Sequence, residues 1–220
     1  MIKNNTKKII ACLPENVTLV AATKKRVVQE ILEVLEAGVK ILGESYVSEA
    51  GEKINLIGNK AEWHLIGHLQ KNKVKKAVEM FDLIQSLDSL ELANVIDAEC
   101  KKINKVMPAL IEINIAKEPQ KYGFMPEEVN ESVRKIVTLG NIKIMGLMTM
   151  GPFRDNPEGL RPYFRQAKDL FDSAKSLHHD NLTWRYLSMG MSDSFKIAIE
   201  EGANMVRIGT GLFGPRTDKT

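Results

Sequence analysis

The 220-residue sequence predicts an α/β fold, a single-domain (β/α)8 TIM-type barrel with an extra N-terminal helix, covering residues 1–220. Two observations carry that prediction. Short apolar runs rich in Val and Ile alternate with longer amphipathic segments along the whole chain, and each run is apolar on both faces, the pattern of a parallel sheet covered by helices. There are eight such runs, the number that closes a barrel. An open doubly wound sheet is the alternative reading of the same alternation.

Residues 19–24 read as the first buried strand. The helix after it, 27–37, stops at Gly38, a residue that accepts the left-handed backbone of a helix end. The second strand is 39–44, with a helix at 48–57. The third is 63–67 with a helix at 74–80, and the fourth 83–86 with a long helix at 89–102. After the fifth strand, 109–115, Pro126 opens a helix where its missing N–H costs nothing, and that helix runs to Leu139. The sixth strand, 142–148, leads through a Pro/Gly-rich loop to a helix at about 161–177. Strand seven is 183–187 with a helix at 194–201, and strand eight is 205–208. The chain ends soon afterwards, so the segment 5–13 is expected to cover the last strand. No repeat, low-complexity tract or linker divides the chain.

Composition narrows the function class. Hydrophobic residues make up 44% and charged residues 27%, an ordinary balance for a globular protein, and the net charge is only +3. The Lys-rich stretches 71–76 and 101–105 carry apolar residues at helical spacing, so they read as solvated helix faces and not as a nucleic-acid surface. Cys12 and Cys100 lie far apart without CxxC spacing, which fits a reduced cytoplasmic protein better than a disulfide framework or zinc site. The N-terminal apolar patch 9–13 is too short for a signal-peptide core, and no run approaches the ~20 residues that cross a bilayer.

In a parallel barrel the βα loops converge at the C-terminal ends of the strands. Those ends supply Lys24, Glu44 with Ser45, His64 and His68, Ser86 with Asp88, Asn114, Met148, Ser188, and Arg207 with Gly209. The last two loops, Leu187-Ser188-Met189-Gly190-Met191-Ser192 and Arg207-Ile208-Gly209-Thr210-Gly211, combine glycines with hydroxyls. Glycines let backbone N–H groups approach an anion, and barrels often bind phosphate at these two loops. Tight Gly/Ser turns are the plainer reading of either loop alone. Lys24 ends the first strand, where withdrawal from bulk water makes a neutral, nucleophilic amine accessible; a lysine snorkelling from a strand end is the alternative. A barrel, a strand-end lysine and a phosphate cradle together point to an aldehyde cofactor that carries a phosphate.

Arg207 and Gly209 share a face by strand alternation. An arginine beside a pyridine nitrogen, with its pKa above ~12, leaves that nitrogen unprotonated and makes the ring a poor electron sink. A salt-bridged strand arginine is the reading without the companion loops. Two of the four histidines, His64 and His68, stand at i, i+4, but the apolar run and Gly67 place them on a strand and turn with no third metal ligand, so no metal is expected. His178 and His179 fall in a surface turn. Met145, Met148, Met150, Met189 and Met191 read as core and rim packing.

These motifs resemble the pyridoxal phosphate homeostasis protein family, whose barrel is similar to the N-terminal domain of bacterial alanine racemase. The resemblance spans almost the full length. It rests on Leu19-Val20-Ala21-Ala22-Thr23-Lys24, Gly43-Glu44-Ser45-Tyr46-Val47, Trp63-His64-Leu65-Ile66-Gly67-His68-Leu69-Gln70-Lys71-Asn72-Lys73, Gly146-Leu147-Met148, the Ser-Met-Gly-Met-Ser block at 188–192, and Val206-Arg207-Ile208-Gly209-Thr210-Gly211-Leu212-Phe213-Gly214. It implies a Schiff base of pyridoxal 5′-phosphate on Lys24 and contact of Arg207 with the pyridine nitrogen. Ser188, Ser192, Gly209 and Thr210 would hold the phosphate, and Ser45, His64 and Met189 would complete the cofactor site. Ser45 and Ser48 depart from the pattern, standing where the family typically has Asn and Gln. The resemblance implies a cofactor carrier or regulator in vitamin B6 homeostasis, with no catalytic residues; a monomer is expected, with the cofactor and apo forms of enzymes that use it as partners. A fold-type III amino-acid racemase or lyase, with Tyr46, His64 or water moving the proton, is the competing expectation. It is weakened because such racemases take a tyrosine acid/base from a second, β-rich domain after the barrel. A phosphosugar-type barrel enzyme without the cofactor is the third.

Overall fold

The computed structural model describes residues 1–215. The eight apolar runs become parallel strands β1 (Thr18–Ala22), β2 (Ile41–Glu44), β3 (Glu62–Leu65), β4 (Leu83–Leu87), β5 (Met107–Ile113), β6 (Ile142–Thr149), β7 (Leu182–Ser188) and β8 (Met205–Ile208). They pair in chain order, and β8 pairs back onto β1 with Leu19 opposite Val206 and Val20 opposite Arg207. The sheet is a closed barrel, which excludes the open doubly wound alternative.

Helices α1 (Ile2–Cys12), α2 (Val28–Glu36), α3 (Val47–Ile57), α4 (Val74–Met80), α5 (Leu90–Lys102), α6 (Val129–Ile136), α7 (Arg161–Ala174), α8 (Phe195–Glu200) and α9 (Thr210–Phe213) surround it. Those of the outer ring lay apolar stripes on the strands, while α1 packs against α2 and α9. On α6 the stripe is Val129, Val133 and Ile136, and on α7 it is Phe164, Ala167, Phe171 and Ala174, at three- and four-residue spacing. Each fully buried aliphatic or aromatic side chain of this kind contributes about 1.5–3 kcal/mol. Local signals set the ends. Ser89 Oγ accepts the Leu92 N–H at 3.2 Å and starts α5. Gly38 follows α2 at φ +108.

A second, smaller apolar cluster fills the barrel itself: Val20, Ile66, Leu83, Leu110, Met148 and Met205. Polar side chains take the remaining interior places, and the functional site begins among them.

Several sequence expectations shift. The last strand does have a helix of its own, the single turn α9. The N-terminal helix nevertheless packs against it, with Asn5 Nδ2 3.4 Å from the Leu212 carbonyl oxygen. Pro126 opens a 3-10 turn (Pro126–Glu128) ahead of α6, not the α-helix directly. The fifth strand ends at Ile113 because the Asn114 side chain accepts the Glu118 N–H at 3.1 Å and donates to the Glu118 carbonyl at 2.8 Å, folding the chain into a turn. Lys71, Lys73, Lys75 and Lys76 are exposed as expected. Lys105 is not: its ammonium donates to the carbonyls of Val78 and Phe81 at 2.7 and 2.9 Å.

Candidate functional site

Strand alternation aims Val20 and Ala22 into the barrel and carries Lys24, two residues past the end of β1, to the same side. There it lines a cleft of about 270 Å³ at the C-terminal mouth, together with Ser45, Ser192, Arg207, Gly209 and Thr210. The structure thus gathers six of the nine residues singled out by sequence. Grooves of about 540 Å³ beside Trp184 and about 530 Å³ between Ile10 and Ile41 are larger, but they lie at the N-terminal ends of the strands and hold no comparable convergence of donors.

The turn that presents Lys24 is anchored from below. Lys25 adopts φ +58 and donates its backbone N–H to Glu49 Oε1 at 2.5 Å. Thr23 Oγ1 donates to Glu44 Oε1 at 2.6 Å. The buried ammonium of Lys53 reaches the Thr23 carbonyl, Glu44 and Glu49 at 2.7, 2.6 and 2.7 Å. Burial pushes the Glu44 carboxyl up, opposed by its hydrogen bonds from Lys53 and Thr23. Sequence reasoning missed this cluster. Its signal was available, since Lys53 falls in the apolar stripe of α3 formed by Val47, Ala50 and Ile57.

Beyond β8, the backbone N–H groups of Gly209 and Gly211 converge on a single oxygen, Ser192 Oγ, at 3.2 and 3.1 Å. Two amides aimed at one point make an oxyanion position, and the hydroxyl of Ser192 occupies it. Because α9 is one turn long, the individual N–H groups do this and not a helix macrodipole. Arg26 ties the loop down: Nη2 donates to the Gly214 carbonyl at 2.5 Å and its guanidinium lies 5.1 Å from the Phe213 ring centroid.

Arg207 closes the floor of the cleft. It donates from Nη1 to Ser188 Oγ (2.6 Å) and the Ser188 carbonyl (2.9 Å), and from Nη2 to the Thr149 carbonyl (2.8 Å). Burial pushes its guanidinium down to about 10, opposed by the charge of Glu112, so it stays a cation at neutral pH, though with less margin than a free arginine. Glu112 lines a side cavity of about 200 Å³ that shares Ile66, Gly67 and Met150 with the cleft. Burial raises its carboxyl to about 7, with Asp88 adding to the rise and Arg207 opposing it.

Three singled-out residues do not line the cleft. Ser188 is fully buried and serves Arg207 instead of an anion. His64, 1% exposed, sits in the barrel interior against Gln85 and Glu62. Met189 is fully buried in the strand–helix core, because it takes the outward phase next to inward-facing Ser188. Ser48 is exposed on α3, away from the cleft, whereas Ser45 lines it. Gly67 makes that approach possible, since a Cβ there would lie 2.6 Å from the Ser45 carbonyl oxygen. His68 pairs with Asp88 at 2.7 Å and stacks on Tyr122. Among the described residues, no group of three His, Cys, Asp or Glu side chains is placed to hold a metal, and no helix is long and apolar enough to cross a membrane.

Comparison with known proteins bears on this geometry. The family described as alanine racemase, N-terminal domain, matches residues 1–217. A pyridoxal phosphate homeostasis protein of Aquifex aeolicus is 42% identical over 204 residues, 92% of this chain and 89% of that protein. Its counterpart in Synechocystis is 37% identical over 211 residues, 95% of this chain and 96% of that protein. Among solved structures, PipY of Synechococcus elongatus with PLP bound superposes with a TM-score of 0.88 at 31% identity, covering 97% of this chain and all of that one. Alanine racemase of Clostridium difficile superposes at 0.79 with 18% identity; this chain spans 56% of its length, and the likeness is one of fold.

Proposed function

This chain belongs to the pyridoxal phosphate homeostasis protein family, on the barrel of the alanine racemase N-terminal domain, and from that premise we propose that it binds pyridoxal 5′-phosphate and acts in vitamin B6 homeostasis as a cofactor carrier. The observation that carries the proposal is the placement of three chemically distinct groups in one cleft: the amine of Lys24, the cationic Arg207, and the amides of Gly209 and Gly211 converging on one oxygen. An aldehyde, a ring nitrogen and a phosphate need those three partners, so the residues present fit the cofactor.

When bound, the cofactor supplies an electrophilic aldehyde on an aromatic ring that can draw electrons. Lys24 would hold the aldehyde carbon through its Nζ. The amides of Gly209 and Gly211, with the hydroxyls of Ser192 and Thr210, receive the phosphate. Ser45 takes the ring edge. Arg207, already donating to three acceptors on its far side, presents the rest of its guanidinium to the ring nitrogen as a donor only, which keeps that nitrogen unprotonated. This blunts carbanion chemistry and favours carriage over turnover. The whole barrel acts as one cofactor-binding domain, a cytoplasmic monomer whose partners are apo forms of enzymes that use the cofactor.

The test is a visible spectrum of the purified protein with added pyridoxal 5′-phosphate, before and after borohydride. A band that reduction converts to a stable adduct on a peptide containing Lys24 is expected; a protein that leaves the cofactor spectrum unchanged refutes the proposal. Amino-acid racemisation well above that of free cofactor would replace the carrier reading with a racemase.

A further inference from the structure

The polar side chains inside the barrel form one chain of hydrogen bonds. Arg207 Nη1 lies 2.6 Å from Ser188 Oγ, Ser188 Oγ 2.7 Å from Gln85 Oε1, Gln85 Nε2 2.9 Å from His64 Nδ1, and His64 Nε2 2.8 Å from Glu62 Oε1. Ser188, Gln85, His64 and Arg207 are all at least nine-tenths buried. Glu62 opens β3 at the N-terminal face, half exposed. The chain therefore crosses the barrel, from the arginine at the cofactor mouth to solvent on the opposite side.

Its polarity is fixed at one end. A guanidinium can only donate. Having received that hydrogen bond, the Ser188 hydroxyl turns its own proton to Gln85, which must present its carbonyl oxygen. The Gln85 amide nitrogen then faces His64 as a donor, with a further contact to Met205 Sδ at 3.3 Å that suits the same orientation. His64 Nδ1 must accept, so the ring proton sits on Nε2 and is given to the Glu62 carboxylate. That hydrogen bond is the main reason the Glu62 carboxyl lies below its ordinary value. Reversing any one link leaves a buried donor facing a donor, or a proton without an acceptor, which costs more than the link gains.

We infer that this one-directional chain makes Ser188, Gln85 and His64 positioning residues for Arg207, orienting from within the barrel the guanidinium that meets the cofactor ring. The inference rests on the proposed cofactor role only for its effect on binding; the polarity of the chain stands on the protein alone. His64 is thereby reassigned from cofactor contact to relay, three links behind the arginine.

The experiment has two arms. Long-range proton–nitrogen NMR of the uniformly labelled, cofactor-free protein, with His64 assigned by its loss in His64→Gln, reads the tautomer directly. The expected state is proton on Nε2 and bare Nδ1; a proton on Nδ1 overturns the chain. The second arm uses Gln85→Leu, which cuts the chain without touching the cleft. It is expected to weaken equilibrium binding of pyridoxal 5′-phosphate about tenfold and to shift the bound cofactor's absorption band. His64→Gln, which can still accept at one end and donate at the other, is expected to stay within about threefold of wild type. A Gln85→Leu protein with lowered thermal midpoint but unchanged affinity and band makes the chain merely structural and overturns the positioning role. Should wild type itself fail to bind the cofactor, the proposed function falls while the tautomer result still decides the chain.

Discussion

Arg207 and Ser188 face each other across the β7–β8 seam, with guanidinium Nη1 2.6 Å from the hydroxyl oxygen and 2.9 Å from the carbonyl oxygen of the same residue. With the Thr149 carbonyl as third acceptor, the pocket around the guanidinium is built of oxygens. Replacing Arg207→Glu sets a carboxylate against those oxygens and in the field of Glu112, and an unpaired buried charge of this kind costs about 3–5 kcal/mol. The variant is expected to unfold at lower urea than wild type. On the cofactor side, a carboxylate partner would draw a proton onto the ring nitrogen, so the absorption of the bound cofactor should change. An unchanged band would place the ring nitrogen elsewhere.

Lys24→Ala removes the only amine that the β1 turn aims into the cleft. The purified variant should be colourless and yield no borohydride-stable adduct by mass spectrometry. Lys25 is the control. It is exposed, its backbone is pinned to Glu49, and it does not line the cleft, so Lys25→Ala should retain the adduct. Covalent cofactor surviving in Lys24→Ala would reassign the linkage.

Ser192→Ala removes the hydroxyl on which two amides converge. Without ligand, those N–H groups lose their acceptor, and each lost hydrogen bond is worth about 0.5–1.5 kcal/mol. In the proposed complex the Ser192 hydroxyl, held by the two amides, turns its own proton to the phosphate, a donor that the variant lacks. The variant should therefore lose affinity for pyridoxal 5′-phosphate while its affinity for pyridoxal, which has no phosphate, stays as in wild type. Equal losses for both ligands would move the phosphate away from this loop.

The barrel was legible because buried parallel strands leave continuous Val/Ile runs, and eight of them closed as expected. Lys24 was legible as a polar strand end, and Ser192, Gly209 and Thr210 because a Gly/Ser loop after a strand has only one place to go in this fold. Ser188 and Met189 fell in the same loop motif but differ by one residue in phase: one turns inward beneath the arginine and the other outward into the core. Strand phase at a loop boundary depends on where pairing stops, and composition does not encode that. The bulge in β6 shows the same limit. Gly146 adopts φ +136, a conformation that favours glycine, and a Cβ there would overlap the Tyr186 carbonyl. In sequence it stood in the Gly146-Leu147-Met148 block, which marks the resemblance but not the bulge. Gln85 and Glu112 carried no motif, because a buried polar residue on a strand declares itself only through partners distant in the chain; Lys53 was marked only by its place in the apolar stripe of α3.

Glu112 gives the pH dependence that separates burial from surface charge. Its side chain accepts no hydrogen bond from the described residues, and burial first, then Asp88, raises the carboxyl from the ordinary 4.5 to about 7. The folded protein thus holds this proton more tightly than the unfolded chain. Its contribution to stability is complete below about pH 4.5 and is lost as pH rises through 7, a span worth about 3 kcal/mol. Glu112→Gln keeps the shape and removes the titration, so groups other than its electrostatic partners Asp88 and Arg207 change equally in both proteins. Urea unfolding at pH 5 and pH 8 should show the variant gaining about 2.5 kcal/mol over wild type between the two, being the more stable at pH 8. Parallel curves would mean that the carboxylate has found a donor or water in the side cavity, and that its field on Arg207 is weaker than the burial implies.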